Sequence, residues 1–182
     1  MNKTNVPTKK APKFTSEYAL DTTVKFQSIR HAAYGYTFAK PETFIEQTDT
    51  IGQVDSIVFY SKLKDAKLIY FVEGNIKGQD TSKNYLFQYF DKLETGQHSA
   101  VKNCKTLKSE LCYDNHLNYR GDFTVLGQLD NRQFIWKTQL SEVPISGDLT
   151  FKTMLFIYPI ELQKYYQPIG VVLADKFGDK LR

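Results

Sequence analysis

Between Phe123 and Ile160 the sequence alternates apolar and polar residues in three successive runs, and this constrains the fold more than any other feature. FTVLGQL (Phe123–Leu129) and FIWKTQL (Phe134–Leu140) flank the turn-forming Asp130-Asn131-Arg132, and LTFKTMLFIYPI (Leu149–Ile160) follows Pro144 and Gly147-Asp148. Successive side chains of a strand point to opposite faces. Phe123, Val125 and Leu129 therefore share a face, as do Phe134, Trp136 and Leu140. The stretch predicts antiparallel sheet. It describes a core and names no function.

The rest of the chain extends this pattern. SIVFYSKL and KLIYFVEGNI flank Lys64-Asp65-Ala66 and read as strand, turn and long strand, with Gly74 marking a bulge or a strand end. A competing reading makes Ile51 to Leu63 an amphipathic helix. Val24 and Phe26 alternate as a strand does, and AAYGYTF continues as a second one, although Leu20 to Ala33 also approximates helical spacing. Pro41 and Glu42 suit the first turn of a short helix over PETFIEQ. NYLFQYFDKL (Asn84 to Leu93) predicts another strand, with Tyr85, Phe87 and Tyr89 on one face. After Ile160, IGVVLA (Ile169–Ala174) reads as the strand that closes the sheet.

At 182 residues the chain fits one domain. Residues 1–16 read as a flexible basic arm, because Lys3, Lys9, Lys10 and Lys13 meet no acid before Glu17, and residues 17–182 read as a single globular domain. The net charge of +4 is weaker and less clustered than a dedicated nucleic-acid domain shows. No run of ~18 apolar residues exists, so no membrane span is expected. The N-terminus has the charge of a signal peptide without an apolar stretch behind it, so either the chain is cytosolic or a leader or anchor has been removed. The compartment stays open.

Several constellations could carry chemistry. Cys104 and Cys112 could close a small disulfide loop in an oxidising compartment, which would favour an extracytoplasmic setting, or could be reduced thiols. Cys112, Asp114 and His116 fall at alternate positions, one face of a strand, but a metal site needs a further ligand and the spacing matches no common zinc pattern. A thiol with His98 or His116 as base would need proximity that spacing does not supply, and His31 reads as structural. No metal, cofactor or catalytic residue is therefore assigned. Arg120-Gly121-Asp122 reads as ordinary turn chemistry before a strand. Gly96 to Arg120 is the least hydrophobic internal segment and is long for a simple loop, so it carries structure of its own or acts.

The unusual composition is aromatic: 13 Phe and 12 Tyr against one Trp. Tyrosines interleaved with lysine, namely Tyr70 near Lys67, Tyr85 and Tyr89 near Lys83, and Tyr165 and Tyr166 beside Lys164, are candidate binding residues. A strand buries one face against a core, which leaves other aromatics for a protein interface or, beside lysine, for stacking on single-stranded nucleic acid.

One resemblance concerns the end of the chain. A strand holding Trp136, the long strand Leu149–Ile160, then Gln167-Pro168-Ile169-Gly170 leading into Val171–Asp175 is similar to the last strands of the periplasmic assembly-factor domain of type IV secretion systems. That family has Asn-Pro-x-Gly where this chain has Gln167-Pro168-Ile169-Gly170. The chain also lacks its membrane helix and reads as sheet where the family is helical. The resemblance covers about a quarter of the chain and implies a periplasmic component of a secretion or envelope assembly.

These observations predict a β-rich, mostly antiparallel sandwich or barrel with one or two short helices, or else an α+β fold with a helical first third packed on an antiparallel sheet. The expected function is a non-catalytic binding or assembly protein, acting through an aromatic-rich sheet face or the 96–120 excursion, with a protein partner or self-association. The alternative is a single-stranded nucleic-acid binder, and the third reading is the periplasmic assembly component.

Overall fold

A computed structural model of the chain describes residues 24–30, 36–47, 56–76, 101–113, 119–145 and 148–177. The segment with the clearest alternation forms the clearest structure. Strands β7 (Tyr119–Leu129) and β8 (Arg132–Ile145) pair antiparallel down to Leu129↔Arg132, so the turn between them is Asp130-Asn131 alone. Both turn residues take positive φ, 48° and 62°. Two left-handed residues twist a hairpin the way its strands already twist, and Asp and Asn tolerate that conformation best among residues with a side chain.

Strand β9 (Asp148–Pro159) folds back on β8 and also pairs with β5 (Lys67–Ile76). It is the central strand of a seven-stranded antiparallel sheet ordered β3-β4-β5-β9-β8-β7-β6, where β3 is Ile45–Gln47, β4 Ile57–Tyr60 and β6 Lys102–Tyr113. A central strand buried on both faces must be apolar at both parities, as β9 is. Met154, Phe156 and Tyr158 enter one cluster with Leu68, Tyr70 and Ile135. Phe151, on the opposite parity, enters another with Phe123, Val125, Trp136 and Leu140. The β5 register shifts between Glu73 and Ile76, which places the irregularity expected at Gly74.

A second layer crosses the first of these faces. Strands β1 (Phe26–Arg30) and β2 (Thr37–Pro41) form a two-stranded sheet, and helix α1 (Gln163–Phe177) follows a 3-10 turn at Ile160–Leu162. Tyr36, Phe38 and Ala39 join the same cluster as Tyr166, Ile169, Leu173 and Phe177 of the helix. The architecture is thus mostly antiparallel β with a C-terminal helix, and the described parts of residues 21–63 are strands and the turns between them.

Local expectations fail at three places. Ile169–Ala174 is helical and closes no sheet. Its β-branched run suits a strand locally, but Tyr166, Ile169, Gly170, Leu173 and Phe177 recur with helical spacing and all are buried, whereas Val171 is half exposed. Of the parts that carry the secretion-system resemblance, the Trp136 strand and the long strand are strands, but Gln167–Asp175 is helix. PETFIEQ contains no helical turn: Pro41 ends β2 opposite Phe26, and Ile45–Gln47 is extended against β4. A third correction concerns Arg120-Gly121-Asp122, which lies inside β7, paired on both sides. The described residues of Gly96–Arg120 form the edge strand β6 and the start of β7, so the segment does carry structure of its own. The β6 register shifts twice against β7, between Lys102 and Lys105 and between Thr106 and Lys108, and Asn103 takes a φ of 53°.

Gly121 is required by close approach. A Cβ there would collide with Cε2 of Phe123, whose ring is buried. Gly121→Ala is expected to lose about 1–3 kcal/mol of stability by overpacking. Urea denaturation would measure it, and adding Phe123→Leu should recover part of the loss. A neutral Gly121→Ala would show that the ring does not cover the glycine.

Two lysines tie the layers together. Lys152 Nζ on β9 donates to the carbonyl of Phe177 at 3.0 Å and lies 4.8 Å from that ring's centre, meeting the negative end of the helix. Lys40 is buried, donates to the Phe44 carbonyl at 2.6 Å and lies 5.5 Å from the Phe59 ring. Desolvation pushes its pKa down, while Glu46 and Glu42 act the other way.

Candidate functional site

Helix α1 begins with two tyrosines whose neighbours differ. Tyr166 is 2% exposed and Tyr165 lies beside it, partly buried, ring edge to ring face at 4.9 Å. Tyr166 also meets Phe156 edge-on at 5.9 Å and Tyr158 at 5.7 Å, so the helix start is packed onto β9 by rings. Its hydroxyl donates to Asp65 Oδ1 at 2.6 Å across 101 residues of sequence.

Asp65 belongs to the loop between β4 and β5, which bonds to itself. Ser61 Oγ donates to Asp65 Oδ1 at 2.6 Å and accepts the backbone N–H groups of Asp65 and Ala66, both at 3.1 Å. Backbone bonds from Ser61 to Ala66 and from Lys64 to Ser61 close the turn, with Lys64 at a φ of 57°. A short polar residue at a loop entrance and a carboxylate four positions on offer such local bonds readily. The loop is thus pre-formed, and Tyr166 pins it to the helix.

Between these parts and the β2–β3 turn lies a cleft of about 240 Å³ lined by Thr43, Phe44, Ser61, Lys62, Leu63, Tyr165 and Tyr166. Its floor is aromatic. Leu63 stands 45% exposed although it is a large apolar side chain. The Thr43 hydroxyl and the Lys62 ammonium supply polar groups. The arrangement can hold an apolar group and orient it by a few polar contacts.

The sequence candidates fare unevenly. Tyr165 and Tyr166 are brought together at the cleft. Tyr70 is a core residue instead: 2% exposed, stacked on Phe38 at 4.2 Å, with its hydroxyl donating to the Ala39 carbonyl at 2.5 Å. It is no stacking platform, because both faces of β5 are buried and its pattern places an aromatic on each. Phe71, its neighbour, is buried on the opposite face, and Lys67 instead lies over the ring of Tyr60 at 5.1 Å. Tyr85, Tyr89, His31, His98 and His116 lie outside the described residues. The cleft residues Thr43, Phe44, Lys62 and Leu63 carried no motif; only Ser61 and Asp65, four apart in a turn, hinted at a rigid loop.

Cys104 and Cys112 occupy one strand, β6, eight positions apart. At ~3.3 Å per residue that separates them by about 20–25 Å, even allowing for the bulges, whereas a disulfide needs Cα atoms about 5.5–6 Å apart. This fold does not join them, and the extracytoplasmic setting loses that support. On the same sheet face as the helix, Asp122 accepts from Lys108 at 2.6 Å and lies 3.6 Å from Lys137. The Asp122 hydrogen bond raises the Lys108 pKa, with Glu110 adding to it. Among the described residues no helix is long and apolar enough to cross a membrane.

No family description matches the chain, and no curated protein matches it. Solved structures do. The fold is similar to the solution structure of cyanobacterial PsbP (CyanoP) from Synechocystis sp. PCC 6803, at a TM-score of 0.59 and 12% identity over 85% of this chain and 92% of that one. It is similar to LpqN of Mycobacterium tuberculosis, described as involved in cell envelope biogenesis, at 0.55 and 9% identity over 91% and 96%. A Pseudomonas aeruginosa protein of unknown function, described as a putative regulator, matches at 0.52 and 10% identity over 86% and 99%. At such identities the likeness is one of fold, which is PsbP-like and β-rich.

Proposed function

We propose that this chain is a non-catalytic binding or assembly protein that seats a residue of a protein partner in the Tyr165 cleft. The observation that carries the reading is the cleft itself, an aromatic floor beside a pre-formed loop, with the exposed Leu63 at its mouth. Aromatic pockets ringed by polar groups are where interface anchors insert. Among the described residues the aromatic sheet faces are spent on the core, so the cleft takes the role first assigned to them. An envelope setting is supported by fold analogy to LpqN and by nothing in the site.

The test is crosslinking followed by affinity. A photoreactive phenylalanine analogue at Leu63 should crosslink one defined partner in cells of origin, and the same analogue at Val171, exposed on the far side of α1, should not. With that partner identified and purified, Tyr165→Ala should weaken binding by about tenfold or more, as loss of an aromatic interface residue does. Equal crosslinking from both positions, or an unchanged dissociation constant, would remove the reading.

A further inference from the structure

The size and charge of the cleft narrow what can enter it. Its volume, about 240 Å³, falls below the ~300–1,000 Å³ of ordinary small-molecule sites, yet it accommodates one large side chain. The lining holds a single formal charge, the Lys62 ammonium. Two of the acids nearby are engaged elsewhere: Asp65 Oδ1 accepts from the Ser61 and Tyr166 hydroxyls, and Glu161 accepts from Arg132 Nε at 2.6 Å. Glu42 and Glu46 are exposed, outside the lining, and act electrostatically on the buried Lys40. Lys64, on the same loop as Lys62, and Lys164, next to Tyr165, are exposed.

We propose, building on the docking role above, that the occupant is an acidic-hydrophobic peptide segment of a partner protein, in which a phenylalanine or long aliphatic side chain is flanked by carboxylates. The apolar side chain meets Phe44, Leu63 and Tyr165, and a flanking carboxylate meets Lys62. Charge complementarity across such a rim selects partners and speeds their encounter more than it adds affinity.

Three synthetic peptides test this against the full chain by NMR titration: phenylalanine flanked by aspartates, the same with lysines, and the aspartate peptide with alanine for phenylalanine. The aspartate–phenylalanine peptide should shift the Thr43, Leu63 and Tyr165 signals. It should bind up to about fivefold tighter than the lysine peptide, the most one exposed ion pair supplies, and about tenfold tighter than the alanine peptide. Lys62→Glu, at an exposed position, should reverse the charge preference, and raised salt should flatten it. Equal binding of the two phenylalanine peptides, or a preference unmoved by Lys62→Glu, overturns the inference but leaves the cleft as a docking site. Failure of all three peptides, or a dimer of the chain that shuts them out, overturns it as well. The cleft itself is then judged by the Leu63 crosslink.

Discussion

Phe156→Ala is expected to cost about 3–5 kcal/mol, the range for emptying a buried phenylalanine site. The ring is fully buried on the central strand, 6.1 Å from Phe44, 5.0 Å from Tyr158 and 5.9 Å from Tyr166 between centroids. Helix α1 rests directly on it: a Cβ on Gly170 would come within 3.3 Å of Phe156 Cδ1. Deleting the ring therefore removes contacts to the helix, to β9 and to the residue after the β2–β3 turn together, and a sheet cannot collapse to fill the space. Against the ~5–15 kcal/mol that holds a typical domain together, this is a large fraction. Urea denaturation followed through the single tryptophan, Trp136, would report it. Phe156→Leu should lose less than half as much, and Lys176→Ala on the exposed side of the helix should stay within about 0.5 kcal/mol. A loss below about 1.5 kcal/mol for Phe156→Ala would mean that the helix is not seated on this ring. Phe44 and Tyr166 touch the same ring and line the cleft, so the substitution should also weaken partner binding.

Stability is expected to fall steeply above pH 10. Burial raises the pKa of Tyr70 well above its ordinary value and that of Tyr158 to about 12. Both hydroxyls stay protonated in the fold while the unfolded chain ionises near pH 10. The unfolded state then binds fewer protons, and each group removes about 1.4 kcal/mol of stability per pH unit above that point. For Tyr158 the loss continues to about pH 12. Lys40 has the opposite sign. Its pKa is lowered by desolvation, so its contribution rises as pH climbs through the folded value and levels off at 10.5, the unfolded value. Denaturation between about pH 10.5 and 11.5 should show a combined slope near 2.8 kcal/mol per unit, roughly twice that of one group. Tyr70→Phe should start about 1 kcal/mol lower, for the lost bond to Ala39, and should lose stability only half as fast. The two curves should then meet about one unit above pH 10. Parallel curves would show that the Tyr70 hydroxyl titrates normally in the fold.

What could be read from the sequence followed from how local each signal is. The β7–β8 hairpin was visible because alternation and Asp130-Asn131 agree, and β9 because its length and apolar content leave few alternatives. The break at Gly74 was visible for the same reason. The C-terminal helix was not, because Ile169, Val171 and Val172 favour a strand locally and only packing against Phe156 and Tyr158 decides otherwise. Tyr70 misled because alternation assigns one face to solvent, and β5 has no such face. The cleft draws on residues 43–44, 61–63 and 165–166, whose meeting depends on the whole fold. Tyr165 and Tyr166 could be picked out by their neighbour Lys164, while Thr43 and Leu63 offered nothing to notice.

The two ends of the sheet have a consequence for how this protein can associate. β3 offers only three residues, and the twelve-residue β6 is bulged twice and carries Lys102, Lys105 and Lys108. Neither edge presents a flat, uncharged row of backbone groups, so addition of further strands and the fibrous growth that follows from it are disfavoured at both. The described edges therefore allow the protein to be kept at high local concentration without its sheets fusing into one another.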